Sequence, residues 1–179
     1  QKKAEAGEIE LFFVDETTLR LLCPLVKCWM KRGKQRRIAT PGQQKWHHLI
    51  GAYNWRTGEI IYTLCEKKNS DEFCQFLEHL INSVASDKPI VYVLDNASYH
   101  HSKQSEAMIA YYEDLSWAFW LPPYCSDLNP IERFWKHLKG LACANRLFHD
   151  ISEVVSSVVN VLVAQNDFVS SERFLFQIT

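Results

Sequence analysis

The sequence predicts an α/β protein, a five-stranded mixed sheet flanked by helices. Three observations carry this. The first third reads as strands joined by turns, two of them spaced like a hairpin. The remainder alternates helix and strand, the pattern of parallel crossovers. Ile90-Val91-Tyr92-Val93-Leu94 is a short apolar run of the kind found in strands buried on both faces. With 179 residues and 47% hydrophobic side chains, the chain suits one domain with a substantial core.

The elements follow in order. Residues 1–7 are polar and helix-friendly. Residues 9–14 form a buried strand that ends in Asp15-Glu16. A second strand is expected over residues 25–30, and Gly33 and Pro41-Gly42 mark turns. Residues 46–53 and 59–65 read as a hairpin pair, because Asn54-Trp55-Arg56-Thr57-Gly58 supplies turn residues. Ser70 or Asp71 caps a helix in which Phe73, Phe76, Leu77, Leu80, Ile81 and Val84 recur at helical spacing. The apolar strand over 90–94 ends in Asp95. A helix over about 102–112 and a strand over 116–121 come next, the strand stopped by Pro122-Pro123. Asn129-Pro130 opens a helix with Ile131, Phe134, Trp135, Leu138 and Leu141 on its apolar face. Asp150 or Ser152 caps a last helix running to about Val163. Trp117, Phe119, Trp120 and Tyr124 are read as core rather than as a base-stacking platform.

Composition narrows the function classes. No apolar run approaches a membrane span and no secretory signal opens the chain, so no membrane partner is expected. Cys23, Cys28, Cys65, Cys74, Cys125 and Cys143 are scattered without Cys-x-x-Cys spacing, which fits a reduced intracellular protein better than a disulfide scaffold. Cys23 and Cys28 with His47 and His48 match no zinc-finger spacing. The net charge of −1 conceals a division. Between Thr17 and Gly58 there is no Asp or Glu, but there are Arg20, Lys27, Lys31, Arg32, Lys34, Arg36, Arg37, Lys45 and Arg56. Such a cluster suits a phosphate backbone, with Lys31, Arg32, Lys34, Arg36 and Arg37 as its centre; a solvated basic hairpin is the alternative.

Two expected core strands each end in an aspartate. Either alone reads as a turn or cap residue. As a pair on parallel neighbours, Asp15 and Asp95 would lie at the same edge of the sheet, where ligands of open α/β sheets gather. Bare carboxylates there repel, and a divalent cation turns the repulsion into binding. Oxygen ligands of this type suit Mg²⁺ or Mn²⁺ rather than zinc. Glu132 is the candidate third acid, completing a site for two ions. It has a second reading: Asn129 as N-cap makes Glu132 the partner in a capping box, and Lys136 lies one turn on.

Here the sequence resembles a known family. Val93-Leu94-Asp95-Asn96-Ala97-Ser98-Tyr99-His100 is similar to the second catalytic block of mariner-type transposases and their bacterial relatives in insertion-sequence family 630. Leu121-Pro122-Pro123-Tyr124-Cys125-Ser126-Asp127-Leu128-Asn129-Pro130-Ile131-Glu132-Arg133-Phe134-Trp135 resembles the third block, and Phe12-Phe13-Val14-Asp15-Glu16 the first. One departure is Cys125, where the family often has Ser before a Pro-Asp pair. The resemblance implies a ribonuclease-H-like fold and a DDE triad of Asp15, Asp95 and Glu132, the last two separated by 36 residues.

The resemblance also implies metal-dependent cleavage at transposon ends and strand transfer. Two Mg²⁺ or Mn²⁺ ions and double-stranded DNA would be the cofactor and partner, with a homodimer left open. Asn96 and His100 are expected to support the metal site or touch substrate. Glu16 should point to the opposite face from Asp15, and Asp127 should shape its loop. The expected organisation is a linker or helix end over 1–8, the catalytic domain over 9–165 and an extension over 166–179. The family's N-terminal helix-turn-helix region is not visible, and a chain opening on Gln1 reads as a fragment. The expected location is the cytoplasm with the bacterial nucleoid, or the nucleus in a eukaryote. The rival readings are a structure-specific nuclease of the same fold and a domesticated, non-cutting DNA-binding domain.

Overall fold

The organising element is β1 (Glu10–Arg20), eleven residues at the centre of a five-stranded sheet of order β3-β2-β1-β4-β5. β2 (Trp46–Asn54) pairs antiparallel with β1, and β3 (Ile60–Cys65) antiparallel with β2. β4 (Ile90–Leu94) runs parallel to β1, and β5 (Ser116–Trp120) parallel to β4. The sheet is therefore mixed, as expected. The computed structural model describes residues 1–34, 37–39, 42–123, 125 and 128–170. Readings that fall on Arg36, Pro41, Tyr124, Ser126, Asp127 and residues 171–179 lie outside the described residues.

The period-2 alternation of β1 sorts its side chains between two cores. Phe12 and Val14 join the side covered by α2 (Ser70–Ser83) and α3 (Lys103–Tyr111). Leu11, Phe13 and Leu19 join the side covered by α4 (Pro130–Ala142) and α5 (Ile151–Ser170). A short α1 (Lys2–Glu5) buries Ala4 in that second core. Caps follow local chemistry. Asn69 caps α2 by accepting from the Glu72 amide at 3.0 Å, one residue before the expected Ser70 or Asp71. Ser102 caps α3, and Asp150 Oδ1 accepts from the Ser152 amide at the start of α5.

Four expectations are corrected. The first strand does not end before Asp15. It continues to Arg20, because Asp15 through Arg20 pair with Gly51 back to Trp46 of β2, and β-branched Thr17 and Thr18 suit a strand. The strand expected over 25–30 does not form. Leu25, Val26, Trp29 and Met30 are exposed on an arm between β1 and β2. That arm is pinned near its base, where the Asn145 amide donates to the Pro24 carbonyl at 3.2 Å and its side chain brackets Val26 at 3.0 Å on both sides. Cys23 at this base shares a thiol hydrogen bond with Cys143. Third, Trp117 and Phe119 are not core: β5 is an edge strand, and both rings are more than half exposed. Finally, α5 runs past the expected Val163 to Ser170, since Val154, Val158, Leu162 and Gln165 keep one face buried.

Candidate active site

β1 outruns β4. The last parallel pair is Phe13 with Val93, so Asp15 sits two residues beyond β4's pairing while still held in register by β2. Asp95 follows the final residue of β4. Glu132 is exposed on the first turn of α4, and its amide donates to the Asn129 carbonyl at 3.2 Å. All three acids line one open cleft of about 450 Å³, with Asn96, Leu121, Pro122, Pro123, Cys125 and Asn129 among its other walls. Three elements thus deliver three carboxylates to one space. They do not form a closed ligand shell: among the described residues, no three His, Cys, Asp or Glu side chains already stand at metal-holding spacing.

Each aspartate is held by a different neighbour. Asp15 Oδ2 accepts from the Trp135 indole N–H at 3.0 Å. Opposite Asp15 in the sheet is Gly51, and the Trp135 ring lies across it. A Cβ added there would meet Trp135 Cη2 at 2.6 Å. Burial pushes the Asp15 carboxyl up to about 7, and the charges of Glu16, Asp95 and Glu132 push the same way. Asp95 is pulled the other way. Its Oδ1 lies 3.1 Å from His100 Nδ1 and accepts the Ala97 amide at 3.0 Å, so its carboxyl is held below the ordinary range, chiefly by the histidine.

His100 occupies the turn of 3₁₀ helix over Ser98–His101 and is 1% exposed. Its Nε2 lies 3.2 Å from Glu16 Oε1, and the Phe73 ring packs on its face with centroids 4.4 Å apart. Burial alone would lower the imidazole. The bonds to Asp95 and Glu16 outweigh it and raise it to about 9, so both nitrogens carry protons at neutral pH. Glu16 points to the face opposite Asp15, as the alternation requires, and reaches Asp95 through His100.

Asn96 is turned from Asp95. Its amide donates to the Leu121 carbonyl and its Oδ1 meets His101 Nε2 at 3.4 Å, joining the exits of β4 and β5. The capping role of Asn129 is not realised, because its side chain makes no cap. Its amide donates instead to the Val14 carbonyl at 3.3 Å, and its buried Oδ1 has no partner among the described residues. Lys31, Arg32, Lys34 and Arg37 are exposed on the arm and do not line the cleft; Arg36 lies outside the described residues. Sequence reasoning passed over Gly51 and treated Trp135 only as core. The available signal was a lone glycine inside a strand, which marks close approach by another group.

The profile of the DDE superfamily endonucleases matches residues 10–155. The chain belongs to this family. This DDE-family chain is 24% identical over 173 residues to the insertion element IS630 uncharacterized 39 kDa protein of Shigella sonnei, a match spanning 97% of this chain and 50% of that one. Its fold is similar to that in the Mos1 transposase paired-end complex with left transposon end, with a TM-score of 0.69 at 16% identity, covering 93% of this chain and 52% of that chain. It is also similar to the Mos1 transposase catalytic domain solved with raltegravir and Mg, with a TM-score of 0.58 at 15% identity over 89% of this chain and 73% of that one. The fold is ribonuclease-H-like. The DDE-family chain spans about half the length of the Shigella protein and of the Mos1 chain in the paired-end complex.

Proposed function

We propose that this chain is the catalytic domain of a cut-and-paste DNA transposase, with Asp15, Asp95 and Glu132 holding two Mg²⁺ or Mn²⁺ ions. The observation that carries this reading is the convergence of three acids from β1, the end of β4 and the start of α4 on one cleft. The donor set fits such ions. It is all oxygen, which suits hard cations, and the buried Asp15 carboxylate resists ionisation without a cation beside it. Asn129 Oδ1, buried on the same wall and without a partner among the described residues, is a further oxygen there. Bound at these acids, divalent ions would activate an attacking oxygen and stabilise a leaving one.

The chain's own residues position the carboxylates. His100 holds Asp95 ionised, and β2 fixes the register of Asp15. In the proposed reaction, water opens a phosphodiester at a transposon end. The freed 3′-hydroxyl then attacks a target phosphodiester and releases the other target end. The exposed basic arm supplies sequence-independent contacts to the duplex. The relation to Mos1, whose structures include complexes with transposon-end DNA, supports DNA as partner.

The test is Mg²⁺-dependent nicking and strand transfer on DNA carrying the element's ends. Wild type should yield both products, and Asp95→Asn should yield neither while keeping the fold. An Asp95→Asn protein that cuts at the wild-type rate refutes the assignment. Nicking without strand transfer would identify a structure-specific nuclease, and DNA binding without nicking a domesticated binding domain.

A further inference from the structure

We infer that Trp135 is a positioning residue for Asp15 and that Gly51 is the gap in β2 that lets it act. The inference rests on Asp15 being a metal ligand, as proposed above. Three independent features of the fold converge on it. Trp135 donates its indole N–H to Asp15 Oδ2 at 3.0 Å. Its ring passes over Gly51, the residue directly opposite Asp15 in the β1–β2 register. No other residue type fits there as the chain stands, because a Cβ would lie 2.6 Å from Trp135 Cη2, 3.0 Å from Cζ2 and 3.2 Å from Ile60 Cδ1.

Packing alone does not account for this arrangement. A Trp that only filled the core would need some acceptor for its buried N–H, but not a carboxylate in the cleft, and a β-branched residue at position 51 would serve the strand better than glycine. A flat ring laid on a bare Cα and ending on a carboxyl oxygen is the geometry of a side chain aimed at that oxygen. With Asp15 ionised beside a cation, the N–H bond to it would be stronger than one between neutral groups.

The consequence lies in what Trp135 connects. It stands three residues after Glu132 on α4, so the two side chains leave neighbouring positions on the helix. The indole bond therefore fastens the helix that carries Glu132 to the strand that carries Asp15. It fixes one Asp15 oxygen on the helix side, and with it the plane in which the carboxylate meets the cleft. Metal sites depend on such partners, and removing one typically weakens metal affinity about 10- to 100-fold.

The experiment uses Trp135→Phe, which keeps a ring over Gly51 and loses the N–H, and Gly51→Ala, which keeps the N–H and displaces the ring. Each is measured for melting temperature without metal, for the Mg²⁺-induced rise in melting temperature, and for the Mg²⁺ dependence of nicking. Trp135→Phe should raise the Mg²⁺ concentration for half-maximal nicking about tenfold or more. That shift should exceed the loss in rate at saturating Mg²⁺, and the thermal response to Mg²⁺ should shrink. Gly51→Ala should move the same quantities in the same direction. The double variant should fall short of the sum of the two, because both act through one bond. If both singles melt lower but keep the wild-type Mg²⁺ requirement, Trp135 is core and the inference is overturned. Asp15→Asn separates this from failure of the larger reading. If Asp15→Asn leaves the Mg²⁺ response intact, Asp15 is no ligand and both ideas fall; if it abolishes the response while Trp135→Phe does not alter it, only the positioning role falls.

Discussion

Asp15 and Asp95 are the same side chain on neighbouring parallel strands, facing the same cleft, yet the protein treats them in opposite ways. Asp15 is surrounded by burial, by three other acids and by a neutral donor, and its carboxyl rises to about 7. Asp95 is half-exposed and leans on an imidazolium, and its carboxyl is lowered. One cleft thus holds a carboxylate that His100 keeps ionised beside one whose ionisation burial opposes. The contrast shows how environment, not residue type, assigns ionic state within one cleft.

The largest expected effect comes from breaking the Asp95 side of this contrast. His100→Ala takes the imidazolium from Glu16, 4% exposed at its side chain, and leaves it the Tyr99 hydroxyl. Loss of one member of a buried ion pair costs about 3–5 kcal/mol. Chemical denaturation at pH 7 should show a loss of that size. A loss under about 1 kcal/mol would mean that the pair contributes no more than an exposed one does.

A smaller effect tests the two aspartates directly. Without metal at pH 8, Asp15→Asn removes a charge that burial and three neighbours oppose, and the melting temperature should rise by several degrees. For a chain of this size, roughly 2–4 °C corresponds to 1 kcal/mol. Asp95→Asn should lower it, because His100 loses an ionic partner.

The pH dependence follows from the same groups. The Asp15 carboxyl is raised in the fold, so its ionisation costs stability progressively between about pH 3.8 and 7 and by a constant amount above. The contribution of His100, raised from 6.5 to about 9, is complete below pH 6.5 and is lost as pH rises through 9. Asp95 contributes above its ordinary pKa and loses that contribution on acidification. Melting curves from pH 4 to 10 on wild type and both variants separate the three. Equal shifts of one sign in both variants would erase the contrast.

The smallest effect belongs to the arm, remote from either aspartate. Replacing Arg32 and Arg37 with Ala should leave melting unchanged. It should weaken duplex binding alike for all sequences and reduce the salt slope by about one unit per lost phosphate contact. An unchanged slope would make the arm merely solvated.

Much of this was legible before any coordinates. The apolar run over 90–94 announced a buried parallel strand, and the turn at 54–58 announced the β2–β3 hairpin. Asp15 and Asp95 were legible because each follows an expected core strand; Glu132 alone reads as a capping partner, and it was the family resemblance that joined it to the two aspartates. What escaped has physical causes. Two acids in a row look like the end of a strand, yet β2 offered Asp15–Arg20 a partner and the strand went on. Leu25–Met30 has strand-like composition, but it lies exposed on the arm, and at Val26 the backbone bonds the Asn145 side chain rather than a strand. Trp117 and Phe119 look like core until β5 is known to be an edge. Glu16 is distant in sequence from Asp95 and His100, and only the parallel pairing of β1 with β4 brings it to them.

Gly51 carries a consequence for how such a protein ages. Every nucleotide change that alters a glycine codon to another residue adds at least a Cβ, so this position has no gentle neighbour in sequence space. Most surface sites drift through similar residues without penalty, whereas the first step away from glycine here presses on the ring that touches Asp15. A single change at this glycine would be expected to loosen the hold on Asp15 while the fold persists, so a weakened domain could differ from an intact one at a residue with no functional group at all.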